Sequence, residues 1–182
     1  NKAINPADKW SKLDRAVMSY GYAITANLLQ MAQGYTIFTA GGKLMPATIY
    51  KQTQTPKGTQ VIKPETAKQM REMMVSITRK GGTGQDGAVP GYDVAAKTGT
   101  ARKASAGGYA DKYRASFVGF APAQNPRLIV AVSIDEPRGK GYYGGTVAGP
   151  AFREIMAGGL KKLGVKPTYV NAEPAANVAK KR

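Results

Sequence analysis

Neither histidine nor cysteine occurs anywhere in this chain of 182 residues. A Ser-His-Asp or Cys-His mechanism therefore cannot be assembled from it alone. A structural zinc site has none of its ordinary ligands here. The lack of cysteine fits either side of a membrane and assigns no redox compartment. Long apolar runs are also missing. No stretch approaches the roughly 18 apolar residues that mark a spanning helix. The opening segment, Asn1-Lys2-Ala3-Ile4-Asn5-Pro6, has no initiator methionine and no signal-peptide pattern, and reads as starting inside a longer polypeptide.

Acidic residues are few. Eleven Asp and Glu stand against 27 Lys and Arg, a formal charge of +16. Such a balance draws a protein toward polyanions, including nucleic acid, anionic lipid and wall polymers. A solvated basic surface with a basic tail is the more ordinary explanation. The basic residues are spread along the chain, and only Lys180-Lys181-Arg182 forms a run. No helix-turn-helix, aromatic RNA-binding strand or zinc finger is visible, so a nucleic-acid partner is not expected. Apolar residues make up 42% of the chain, enough for a globular core.

The first 20 residues read as polar loop with a short helical stretch. Asn27 is a helix N-cap, followed by an apolar stripe at Leu28, Met31, Ala32, Tyr35 and Phe38 that ends at Gly41-Gly42. Residues 45–52 and 60–63 are candidate strands. Pro64 and Glu65 suit a helix start. Ala67, Met70, Met73, Met74 and Ile77 form the apolar face of that helix, and Gly81-Gly82 stops it. Plain core packing accounts for the methionines.

A glycine-rich loop over 81–91 leads to a strand over 92–100, and residues 101–113 read as a polar connection. Strands follow at 116–120 and 128–134, joined by a short linker that favours an antiparallel hairpin. The last helix spans 150–163, with Phe152, Ile155, Met156, Leu160 and Leu163 on one face, and Gly164 closes it. Residues 166–182 read as a polar basic tail. The order of elements predicts an α+β fold, an antiparallel sheet flanked by helices.

The chemistry concentrates in Lys97-Thr98-Gly99-Thr100, at the end of a strand. The lysine is a point charge for an anion or a serine hydroxyl. The threonine hydroxyls can bind a carboxylate. Gly99 lets a substrate lie against the backbone, and an unpaired strand N–H can polarise a carbonyl. An ordinary strand end remains the alternative for four such residues. Gly81-Gly82-Thr83-Gly84 lacks the Lys-Ser/Thr ending of a phosphate loop and follows a helix rather than a strand.

Lys-Thr-Gly is one of three signatures of penicillin-binding proteins and class A β-lactamases. Several other motifs carry the resemblance further. Thr100-Ala101-Arg102-Lys103, Gly119-Phe120-Ala121-Pro122 with Asn125-Pro126-Arg127, and Asp135-Glu136-Pro137 come first. Gly141-Tyr142-Tyr143-Gly144-Gly145 and Ala148-Gly149-Pro150-Ala151-Phe152 follow in the same order. Upstream, Gly21-Tyr22 and Leu29-Gln30-Met31-Ala32 also fit. Over roughly residues 10–165 the chain resembles the C-terminal part of the transpeptidase domain of a class B, division-specific (FtsI-like) penicillin-binding protein. Ala23 and Leu28 depart from the Gly and Pro common in the family. The larger departure is that the nucleophile motif, Ser-x-x-Lys, occurs nowhere. Ser76-Ile77-Thr78-Arg79 comes nearest, but an arginine cannot serve as a neutral base. Ser-x-Asn is missing too, and Ser133-Ile134-Asp135 falls after the Lys-Thr-Gly strand. Both motifs precede this region in the family, so the chain reads as a fragment or a separated piece.

The resemblance implies part of a penicillin-binding, serine β-lactamase-like fold over residues 1–165. It implies a peptidoglycan D,D-transpeptidase that cross-links wall stem peptides during septation, needs no cofactor and is acylated by β-lactams. It further implies the periplasmic face of a bacterial inner membrane, divisome partners and a complementary N-terminal half. By the same likeness Lys97 supports the proton network of the Ser-x-Asn serine, and Thr98 and Thr100 bind the terminal carboxylate. The Thr100 N–H supplies half of the oxyanion hole, and Gly99 admits the substrate. Arg102 orients Thr100 or meets the substrate anion, with solvent exposure as the alternative. Tyr142 and Tyr143, with Gly144 and Gly145, form an aromatic wall beside the pocket, with packing under a loop as the alternative for each tyrosine. The chain alone is expected to be inactive. A non-catalytic binding module for a polyanion or a partner chain is the other reading.

Overall fold

A computed structural model describes residues 9–22, 24–105, 108–139 and 141–169. Helices α1 (Lys12–Met18) and α2 (Leu28–Thr39) come first, then strands β1 (Lys43–Leu44) and β2 (Thr59–Gln60) and helix α3 (Pro64–Val75). Strands β3 (Ala95–Ser105), β4 (Gly108–Ala121) and β5 (Leu128–Asp135) and helix α4 (Gly144–Lys162) complete the order. β1 and β2 pair antiparallel, and β3, β4 and β5 form an antiparallel sheet in that order. The α+β expectation holds.

Local chemistry sets the helix starts. Asn27 and Gln30 form a reciprocal capping box at α2, with bonds of 2.8 and 3.0 Å. Ser11 and Asp14 do the same at α1. Pro64 occupies the first turn of α3, where its missing N–H has no partner to lose, and Glu65 faces the positive end of the helix dipole.

The strand alternation divides the core into two layers. On one face Ala96, Phe117, Ala121 and Val130 pack against Ala148, Phe152, Met156 and Leu160 of α4. The Phe117 and Phe152 rings lie 4.5 Å apart. On the other face Ala95 and Phe120 pack against Met74 and Val75 of α3, with Tyr35 and Phe38 of α2. The Arg71 guanidinium donates to the Phe38 carbonyl at 2.8 Å, placing a cation at the negative end of α2.

Several expected boundaries move. Residues 45–52 are not a strand, and the pairing strands are the shorter Lys43–Leu44 and Thr59–Gln60. The polar connection expected over 101–113 is instead the distal half of the β3–β4 hairpin. Its polar residues pair across the ribbon and need no core: Arg114 and Lys103 reach Asp135, and Lys103 and Lys112 reach Glu136. Helix α4 begins at Gly144, six residues before Pro150, which sits inside the helix. Met73, Ile155 and Leu163, expected on apolar inner faces, are exposed. The first residues of the expected polar basic tail, 166–169, run back against the turn at Gly91. Residues 170–182 lie outside the described residues.

Candidate active site

Lys97-Thr98-Gly99-Thr100 lies inside β3, an edge strand of its sheet. The two-residue repeat puts Thr98 and Thr100 on the face shared with Ala96, toward α4. It puts Lys97 on the face shared with Ala95, toward α2 and α3. Lys97 is exposed, and its ammonium donates to the Thr98 carbonyl at 2.7 Å. The Tyr22 hydroxyl accepts from the Arg102 N–H at 3.3 Å, so that amide points off the sheet. By the same repeat the Thr98 and Thr100 amides face the open edge. Thr100 thus presents an N–H where a reacting carbonyl could lie.

The cleft itself is about 290 Å³ and is lined by Thr83, Thr98, Thr100, Tyr143, Gly144, Gly145 and Thr146. Its floor is the junction of β3 with the first turn of α4. Tyr143 caps that helix without a side-chain bond, and the Thr100 hydroxyl supplies an acceptor instead, taking the Gly144 N–H at 2.9 Å. An oxygen that accepts there keeps its own proton free to donate into the cleft. The Thr83 and Thr98 hydroxyls are 3.2 Å apart. Three hydroxyls therefore converge beside the positive end of a 19-residue helix, a combination suited to a carboxylate.

Glycine makes this approach possible. A side chain on Gly144 would collide with the Gly99 and Ser116 carbonyl oxygens, and one on Gly145 with the Thr83 carbonyl. Gly144-Gly145 is thus a backbone-on-backbone contact of α4 with β3, β4 and the glycine-rich loop.

One wall of the cleft is aromatic. Tyr142 stacks on Tyr113 with centroids 4.1 Å apart and planes 16° from parallel, and Tyr143 follows at 4.5 Å. The Tyr143 hydroxyl accepts from Tyr142 at 3.3 Å, and this bond, with the electrostatic influence of Tyr143, pushes the Tyr142 phenol above its ordinary value of 10.0. The Arg102 guanidinium sits 5.8 Å from the Tyr113 ring centroid and 3.8 Å from the Asp111 carboxylate. Arg102 therefore extends the aromatic row on the α4 face.

The structure brings Thr98, Thr100, Tyr143 and Gly144 to one cleft, with Tyr142 and Arg102 along its wall and Lys97 on the far face of the strand. Sequence reasoning placed Gly145 beside the pocket but missed Thr83, Thr146 and Tyr113. The glycines around Thr83 were the available signal, because they let that loop touch the α4 backbone.

The family model described as penicillin binding protein transpeptidase domain matches residues 1–157. The chain belongs to the penicillin-binding protein transpeptidase family. The "Probable peptidoglycan D,D-transpeptidase PenA" of Neisseria flavescens is 55% identical over 172 residues, 94% of this chain and 42% of that protein. The "Peptidoglycan D,D-transpeptidase FtsI" of Escherichia coli K12 is 37% identical over 160 residues, 87% of this chain and 27% of that protein. The transpeptidase (TP) domain of Burkholderia pseudomallei penicillin-binding protein 3 superposes with a TM-score of 0.86 at 45% identity. That match covers 92% of this chain and 52% of the other. The chain thus spans less than half the length of these two curated relatives, and the fold is that of a penicillin-binding transpeptidase domain. Within the 182 residues the family's Ser-x-x-Lys motif does not occur.

Proposed function

We propose that this chain forms the carboxylate-binding and oxyanion side of a peptidoglycan D,D-transpeptidase site, with the acylated serine supplied by the complementary part of the domain. The observation that carries this reading is the convergence of the Thr83, Thr98 and Thr100 hydroxyls at the open edge of β3, under the first turn of α4. A stem peptide ending in a D-alanine carboxylate fits such a cleft, and a β-lactam carries an equivalent carboxylate beside a strained amide.

The Lys97 ammonium, on the opposite face, holds positive potential toward the side where α2 and α3 pack. The Thr100 N–H receives the negative charge that develops on the attacked carbonyl, a role typically worth about 3 kcal/mol in the transition state. Tyr142 and Tyr143 shield one side of the cleft from water.

The complementary part of the domain is the first expected partner. Leu29 and residues 47–50 line an open cleft of about 310 Å³. Ile49 is 92% exposed there, an apolar surface larger than a solvated loop needs. Divisome partners and the periplasmic face of the inner membrane belong to the same reading. Among the described residues no helix is long and apolar enough to cross a membrane. The +16 charge alone, without a shaped site, gives the polyanion-binding alternative much less support.

Labelling with a fluorescent penicillin tests the proposal. The full-length protein is expected to form a covalent adduct, the Thr98→Val/Thr100→Val variant to label far more slowly, and the isolated 182-residue chain to stay unlabelled. A covalent adduct on the isolated chain, or a full-length protein that takes no label, overturns it.

A further inference from the structure

We infer that residues 165–169 form a positioning strap that fixes α4 lengthwise against β3 and so sets the width of the cleft between them. Helix α4 ends at Lys162, and Gly164 just beyond its cap, with a φ of +66°, turns the chain back toward the start of β3. The Tyr92 hydroxyl donates to the Val165 carbonyl at 2.6 Å. The Gly91 carbonyl accepts the Thr168 N–H at 2.9 Å, the Thr168 hydroxyl at 3.2 Å and the Tyr169 N–H at 3.4 Å. The Tyr169 hydroxyl donates to the Tyr92 carbonyl at 3.1 Å. Gly91 has a φ of +83°, and a side chain there would sit 3.0 Å from Pro167. The positive φ and this close approach both favour glycine at this position.

The strap matters because of what lies at the other end of the same two elements. A 19-residue helix is a rod of roughly 28 Å. Its first turn meets β3 at the bond from Gly144 to Thr100, and its last turn meets the residues leading into β3 through the strap. Those residues are also held from the opposite side. The Asp93 carbonyl accepts from the Ala123 N–H at 2.8 Å, and the Val94 carbonyl from the Thr78 hydroxyl at 2.9 Å. Sliding α4 along the sheet would break bonds at both ends together. With the strap in place, the Thr100 hydroxyl and the α4 backbone amides keep a fixed spacing.

Hydrogen exchange on the full-length protein tests this, and the structural half of the inference stands independently of the transpeptidase reading. Two truncations are compared with the parent, one ending after Tyr169 and one after Gly164. Peptides covering 95–100 and 141–149 should exchange as in the parent for the first, and about tenfold faster for the second, as local opening of the cleft becomes easier. If the shorter protein fails to fold, Tyr92→Phe with Tyr169→Phe removes two hydroxyls only, and about fivefold faster exchange in the same peptides is expected. Exchange unchanged in the shorter truncation, or in the double variant where that replaces it, overturns the strap. Faster exchange with an unchanged penicillin acylation rate, measured well below the melting temperature, overturns its positioning role. A parent protein that takes no penicillin while the exchange difference persists would defeat the transpeptidase reading and leave the strap standing.

Discussion

The Thr100 hydroxyl accepts the Gly144 backbone N–H at 2.9 Å, so one side chain caps a helix and lines the cleft at once. Replacing it separates the two duties. Thr100→Ser keeps the oxygen and should retain acylation by penicillin within a few-fold. Thr100→Val leaves the N–H without its partner and deletes a carboxylate donor. A hydrogen bond to a charged group is worth about 1.5–3 kcal/mol, so the acylation rate constant of the full-length protein should fall about 10- to 100-fold. Equal rates for the two variants would show that the hydroxyl does not touch the substrate.

Two glycines of the same helix should respond in opposite directions. Gly144→Ala drives a methyl group into the Gly99 and Ser116 carbonyls and should destabilise by about 1–3 kcal/mol, as overpacking does. Gly158 has open space around it and ordinary helical backbone, so Gly158→Ala should stabilise by about 0.5–1 kcal/mol. Urea midpoints of the two variants check both signs.

Phe152 is fully buried on α4 against Phe117. Phe152→Ala leaves a cavity at the centre of the α4 layer and should cost about 3–5 kcal/mol. A loss below about 1 kcal/mol in thermal unfolding would mean that α4 does not pack on the sheet as described.

The ion-pair network at the far end of the hairpin predicts a pH dependence. The Lys103 ammonium holds the Asp135 carboxyl below its ordinary 3.8, with Arg114 adding to the effect, and the Glu136 carboxyl below its ordinary 4.5, with Lys112 adding. Lys103 is in turn raised above 10.5, first by Glu136 and then by Asp135. Lowered carboxyls stabilise above their unfolded values, and that contribution is lost as pH falls below 4.5 and then 3.8. The raised lysine contributes below 10.5, and its share is lost as pH climbs past that value. All three groups are substantially solvent-exposed, so the effect is small and sensitive to salt. The urea midpoint of Lys103→Met should show a flatter acid limb than the parent, and identical limbs would refute the network's contribution.

The sequence made the β4–β5 hairpin legible because Ser116–Phe120 and Leu128–Ile134 are apolar runs around a short Pro-flanked linker. The α2 start was legible from Asn27 for the same local reason. The beginning of α4 was hidden because Gly144-Gly145 and Pro150 look like helix breakers. They are tolerated because glycine alone allows the backbone contact with β3, and because the Pro150 ring keeps a helical φ. The hairpin beyond Thr100 was hidden by its charges, which pair with β5 residues more than 20 positions away. Thr83 entered the cleft through a loop whose place is set by α4, a relationship no local pattern encodes.

β3 separates two compartments as well as lining one. The hydroxyls look toward α4 and the Lys97 amine toward α2 and α3, so no single helix governs both. In the transpeptidase site proposed above, substitutions around α4 would loosen the hold on a ligand's carboxylate while the amine keeps its surroundings, and changes around α2 or α3 would do the converse. Carboxylate affinity and the amine's chemistry would then be open to independent adjustment, on opposite sides of a single extended segment.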